Sequence, residues 1–272
     1  MTLPIAVAAG GWAVLAVLVA VAVAAVLAGR GQLTADPARR RRFRRVLSLL
    51  VVAPAAVFTA VAGVVVAQGT PAWDMTVLRQ LARHQQPTAR AITAAATLTG
   101  SVPVVLVLLL TALVVLLIAR LYRQAAFVAA ATLLSMAASG IMKLVFARAR
   151  PEVIAQKPGG WSFPSGHTMS ATGFAVALVI VLWPTRWRRP ALAVATVYAV
   201  GIGLTRLYLG VHYPSDVVAG WALALAVVGV TWLAFWDRFE PAPEAPAQDR
   251  GDRLRRAQRD SGQHDGSGKG RT

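Results

Sequence analysis

Residues 102–119 read VPVVLVLLLTALVVLLIA, eighteen consecutive positions without a single Asp, Glu, Lys or Arg. A soluble helix of that length would show water a polar stripe recurring about every 3.6 residues, and this stretch has none. It suits instead the hydrocarbon core of a bilayer, which about 20 apolar residues cross as a helix. Outward from it the same character recurs at Val46–Ala67, Ala125–Met142, His167–Trp183, Pro190–Thr205 and Val217–Trp236, and once more near the N-terminus at Leu3–Ala28. None of the seven stretches contains Asp, Glu, Lys or Arg. They predict an all-α protein, a polytopic transmembrane helix bundle. The stretches from His167 and from Pro190 are short for a full span and are expected to stop below the bilayer surface or to continue into polar residues.

Composition points the same way. Of 272 residues 57% are hydrophobic and 14% charged, with a mean hydropathy of +0.59. That balance excludes a disordered chain and argues against a soluble globule. Cysteine is absent, which removes disulfides, thiolate nucleophiles and Cys-ligated metals. The formal net charge of +17 would suit a nucleic-acid partner until its placement is considered. With the N-terminus outside, the connections 29–45, 120–124 and 184–189 and the tail after 236 face the cytoplasm and hold 20 of the 28 basic residues. Topology therefore accounts for the charge, and no basic groove with interleaved aromatics is left for nucleic acid.

Three parts are expected: residues 1–45, an extra N-terminal transmembrane helix with a basic cytoplasmic loop; 46–236, a transmembrane core; and 237–272, a disordered cytoplasmic tail. In the outer connection 68–101, Val77, Leu78 and Leu81 share one face of a short helix, with Asp74 read as its N-cap. That helix is expected to lie on the outer leaflet, and it reads equally well as a plain connector.

Once the cytoplasmic segments are set aside, the remaining ionisable residues gather at three outer helix ends. The first group runs from Lys143 through Arg148 to Arg150-Pro151, the second is Pro164-Ser165-Gly166-His167, and the third runs from Thr205-Arg206 to His212 and Asp216. Lys143 and Arg150 suit an anion with several equivalent oxygens, although taken alone they read equally as cations reaching toward lipid headgroups. Pro164, Ser165 and Gly166 open a helix whose unpaired N–H groups and positive dipole end favour phosphate, with a hydroxyl donor and a histidine beside them. His212 and Asp216 stand four apart. One helical turn would let the carboxylate hold one imidazole nitrogen and leave the other free to attack. A buried acid at a membrane boundary also calls for a partner. His84 and His264 read as ordinary loop and tail residues.

These three groups, in this order, resemble the type-2 phosphatidic acid phosphatase family, membrane lipid phosphate phosphatases with a pocket similar to that of vanadium-dependent haloperoxidases. The resemblance covers roughly residues 46–236 and implies a six-helix phosphatase core, to which Leu3–Ala28 is an addition. It implies that His212 is the nucleophile that becomes a phosphohistidine, that Asp216 orients it, and that His167 protonates the leaving oxygen. Lys143, Arg150, Ser165, Gly166 and Arg206 would bind the phosphoryl oxygens. No metal and no cofactor is implied, and the outer loops lack the carboxylate cluster of a two-metal phosphatase. The third motif usually opens with Ser-Arg; Thr205 keeps the hydroxyl, so activity is expected to survive.

The expected function is hydrolysis of a lipid phosphate or polyprenyl diphosphate by a multi-pass cell-membrane protein, with the site extracytoplasmic and the C-terminus cytoplasmic. The partners would be the lipid substrate and membrane lipids. A vanadate-dependent haloperoxidase-like enzyme is the second reading, against which seven apolar stretches weigh. A transporter or catalytically silent lipid-binding protein is the third; charge-free spans offer no relay for transport, and a silent binder would be expected to have lost His167 or His212.

Overall fold

The computed structural model describes Arg41, Arg45 and residues 47–152 and 159–235. The expected helix Leu3–Ala28, most of the basic loop 29–45, the tail from Asp237 and His264 lie outside the described residues.

The described chain is helical. A π-helical turn, Leu47–Val52, runs into α1 (Ala53–Gln68), followed by α2 (Ala72–Arg83), α3 (Pro87–Leu98), α4 (Val102–Ile118), α5 (Tyr122–Phe146), α6 (Gly166–Leu182), α7 (Arg188–Tyr208) and α8 (Pro214–Ala234). Each of the six described apolar stretches falls on one of the long helices. Four are long and apolar enough to cross a membrane: Ser48–Gln68, Tyr122–Phe146, Arg188–Tyr208 and Pro214–Ala234. A fifth span forms if α3 and α4, bent by 47° at their junction, are taken together, and α6 is a shorter apolar helix. The stretch from Pro190, short when only uncharged residues are counted, extends at both ends into arginines, Arg188 and Arg206.

Proline sets several of the starts. Pro54, Pro87, Pro103 and Pro214 sit in the first turns of α1, α3, α4 and α8, where the missing N–H would have had no helical acceptor. α8 is the central helix, buried along most of its length and packed on α1, α5, α6 and α7. Small residues permit this. A Cβ at Gly229 would lie 2.8 Å from the carbonyl carbon of Leu50, and one at Gly203 2.8 Å from Val217 Cγ1, so neither helix pair could approach as closely with alanine there. Below the polar end, Phe58, Phe146 and Phe163 pack ring to ring at 4.7–6.4 Å among Met142, Met169 and Leu223. Leu106, Val107, Leu110, Val114, Val115 and Ile118 instead point outward from α4, as expected of a surface whose solvent is lipid.

The connection 68–101 differs from expectation. It holds two helices, α2 and α3, and Asp74 does not cap α2. Pro71 occupies the cap position, and Asp74 lies in the first turn, wholly buried, on the face that carries Leu78 into the bundle. The chain alternates direction, so α1, α5 and α7 end, and α4, α6 and α8 begin, at one end of the bundle, the end that α2 and α3 cover.

Candidate active site

All eight residues selected from the sequence meet at that end. Lys143, in the last turn of α5, donates to the carbonyl oxygen of Trp161 at 2.7 Å. Ala147 then takes a left-handed conformation (φ 41, ψ 38), which reverses the chain and directs the Arg148 side chain inward. Alanine pays about 1–2 kcal/mol for that conformation, a cost the contacts of Arg148 offset. Arg150 donates to the carbonyls of Val211 (2.8 Å) and Gly160 (3.1 Å) and reaches His212 Nε2 at 3.3 Å.

α6 starts beside Lys143. A Cβ at Gly166 would lie 3.5 Å from Lys143 Cε and 3.3 Å from Ser139 Oγ, so the backbone of the helix start lies against the lysine stem. The backbone ladder opens with Met169 N–H on the Ser165 carbonyl at 3.0 Å. The N–H groups of Gly166, His167 and Thr168 precede it, and such groups with the helix dipole behind them suit an anion. The Ser165 hydroxyl accepts from Thr168 and keeps its own proton to donate, while the Ser165 N–H anchors the helix start to the Asp216 carbonyl at 3.0 Å. His167, in the first turn, is within electrostatic reach of Arg206, His212, Lys143 and Arg150.

Arg206 is buried in the last turn of α7. Its Nη1 donates to Thr97 Oγ1 at 3.0 Å, the same hydroxyl that Thr205 meets at 2.9 Å, while its Nε has no partner among the described residues. An unpaired, buried guanidinium N–H is costly unless something binds it, and here it borders the three motifs.

His212 and Asp216 do not share a helical turn. Pro214 delays the start of α8, so His212 lies in the preceding loop and Asp216 at the third helical position. The carboxylate reaches back, accepting the Tyr213 N–H at 2.9 Å on Oδ2, and the same oxygen lies 3.3 Å from His212 Nδ1. The pairing expected from the spacing is made, but by a helix-start geometry. Its neighbours select the tautomer. Asp216 can only accept, so Nδ1 carries the proton; Arg150 can only donate, so Nε2 keeps its lone pair. Burial, partly opposed by Asp216, lowers the His212 pKa to about 4, so the imidazole is neutral at physiological pH.

Residues not selected from the sequence complete the site. Ser162 Oγ donates to Asp216 Oδ2, and Arg148 Nη1 donates to Asp216 Oδ1 at 2.6 Å. Arg148 Nη2 donates to Asp74 Oδ2 at 2.8 Å, and Asp74 Oδ1 accepts the Ser215 N–H at 2.9 Å. Thr97 holds Arg206 from α3. Arg148 stood inside the first motif without a role, and Asp74 had been taken for a cap. The reasoning that demanded a partner for Asp216, an acid buried beside a membrane, applies to Asp74 as well and would have found it. Among the described residues no three His, Asp or Glu side chains converge as a metal site.

Residues 124–240 match the PAP2 superfamily. Phosphatidylglycerophosphatase B of Escherichia coli is 46% identical over 80 residues, 29% of this chain and 31% of that protein. The undecaprenyl-diphosphatase of Sulfolobus acidocaldarius is 31% identical over 102 residues, 35% of this chain and 44% of that one. The chain thus spans less than half the length of these relatives in the aligned segments. The crystal structure of a transmembrane PAP2-type phosphatidylglycerolphosphate phosphatase from Bacillus subtilis shares the fold, with a TM-score of 0.61 at 22% identity over 70% of this chain and 98% of that one. Together with the apolar helices, these matches make the protein a multi-pass membrane helix bundle whose residues 124–240 are similar to the PAP2 superfamily.

Proposed function

We propose that the protein is a membrane phosphatase that hydrolyses a lipid phosphate or a polyprenyl diphosphate, on the outer face, through a phosphohistidine. The observation that carries this reading is the fixing of His212 between an acceptor at Nδ1 and a donor at Nε2, which leaves the attacking nitrogen unprotonated. The names of the relatives support the substrate class, since one is a phosphatidylglycerophosphatase and another an undecaprenyl-diphosphatase.

The phosphoryl group enters among Lys143, Arg150, Arg206 and the N-terminus of α6, and in doing so draws Arg150 off Nε2. His212 Nε2 attacks phosphorus as the bond to the leaving oxygen breaks, and His167, which takes up a proton as the phosphoryl anion enters among these cations, supplies the proton that oxygen takes. The imidazole, now carrying phosphoryl on Nε2 and a proton on Nδ1, is cationic and is held by Asp216. Water then attacks phosphorus, giving its proton to His167; inorganic phosphate leaves, and both histidines are restored. Charge-assisted contacts of about 1.5–3 kcal/mol each, four or five together in a water-poor site, suit the charge spread over the transferring group. A lipid brings its headgroup to the bundle end by lateral diffusion.

The test is phosphate release by purified protein in detergent with excess chelator, across lipid monophosphates and diphosphates, beside His212→Ala. Release that survives chelation, with a base-stable and acid-labile phosphoryl label absent from the variant, is expected. Release from the folded variant at the wild-type rate would overturn the reading.

A further inference from the structure

The proposed chemistry leaves unexplained why a carboxylate from α2, a helix outside the four that carry the three motifs, is wholly buried behind them. Asp74 is 0% exposed, and all its described partners belong to one cluster: Arg148, and the backbone N–H and hydroxyl of Ser215. Arg148, 7% exposed, spends its two terminal nitrogens on Asp74, Ser215 and Asp216, and its guanidinium lies 4.0 Å above the Tyr213 ring. Tyr213, Ser215 and Asp216 are the residues that follow His212 in the chain. The cluster therefore clamps both the segment that carries the histidine and the carboxylate that orients it.

Charge explains why two acids are present. Arg148 paired with Asp216 alone would make a neutral couple, with little field left to hold the Nδ1 proton or to balance a cationic phosphohistidine. Shared between Asp74 and Asp216, the same guanidinium leaves the cluster with one net negative charge. Because it binds Oδ1 of Asp216, Oδ2 is left for His212, Ser162 and the Tyr213 N–H.

We propose that Asp74 and Arg148 are positioning residues for the reaction: Asp74 sets Arg148, and Arg148 sets the Asp216 carboxylate and the 212–216 segment so that His212 presents Nε2 to phosphorus. α2 is thereby part of the catalytic apparatus and not merely a cover. The inference rests on the reading of His212 as nucleophile.

The test compares Asp74→Asn, Arg148→Lys and the double variant with wild type, using Arg79→Ala as a control on the exposed face of α2. Each is checked for monodispersity and thermal unfolding, and kcat and KM are measured separately. The 15N signals of His212, assigned with His212→Gln, report its tautomer independently of turnover. Asp74→Asn is expected to lower kcat on the order of tenfold, as loss of outer partners of a functional imidazole does, with KM within about twofold. It is also expected to shift His212 away from the Nδ1–H tautomer. The double variant should lose no more than the worse single one, because Asp74 acts through Arg148. Wild-type kcat in folded Asp74→Asn, or losses that multiply in the double variant, would overturn the proposal. If Asp74→Asn does not fold, Arg148→Lys with its His212 signal decides: an unchanged kcat and tautomer sink the relay. If wild type releases no phosphate from any lipid, the phosphatase reading fails; the His212 tautomer still decides the relay, preserved in Asp74→Asn against it and lost in favour.

Discussion

His212 shows how much of this site is decided one side chain at a time. Its imidazole, 1% exposed, is held neutral by burial, with a pKa of about 4 against an ordinary 6.5. The unfolded chain therefore binds a proton between those two values that the folded chain refuses. The stability contributed by the neutral form is fully present above pH 6.5 and is lost as pH falls toward 4. Thermal unfolding in detergent is accordingly expected to move to lower temperature across that window, and less so in His212→Gln; equal slopes for both proteins would show that His212 does not titrate in this way. His212 was legible from the sequence because it sits four residues before the lone acid at its end of the last helix. Arg150 was singled out beside Lys143, but that Arg148 turns into the interior while Arg150 reaches His212 was not legible in their spacing. A spacing of two leaves both options open, and the choice falls to the left-handed Ala147, a conformation that nothing in its residue type announces.

Among the elements, the apolar stretches translated directly into helices because lipid-exposed backbone must pair within its own segment. What the stretches did not reveal was packing. α8 is central because Gly220 and Gly229 let neighbouring backbone approach where a side chain would stand, whereas a hydropathy profile ranks it below α4, whose large residues face outward. Gly229→Ala would place a methyl against the Leu50 backbone, which cannot move aside as a side chain can. Overpacking of this kind costs about 1–3 kcal/mol. A lowered unfolding temperature is expected, with phosphate release per folded molecule unchanged, because Gly229 lies roughly 20 Å along α8 from Pro214. Equal stability of the variant would mean that the α8 contact with the π-helical turn is looser than described. α3 escaped the sequence reading because its residues are mostly alanine and threonine between two spans; Pro87 marked its start.

For the molecule as a whole, the positive-inside argument makes a prediction that the absence of cysteine renders simple to check. Arg83→Cys, exposed at the site end, is expected to react with an impermeant maleimide on intact cells, and Thr185→Cys, between α6 and α7 at the opposite end, only after lysis. The reverse pattern would place the site in the cytoplasm and sink the outer-face reading. The sequence by itself determined the helical membrane class, the three polar groups and their convergence in kind, because charge-free length and clustered ionisable residues are properties of composition and order. Only the tertiary structure decided that Asp74 reaches across from α2 to Arg148, that Thr97 holds Arg206, and that Asp216 meets His212 through a helix start instead of a helical turn. Those are contacts between residues far apart in the chain or around a local break in the helix, and pairing at that distance is set by how the helices pack, which no single stretch of sequence encodes.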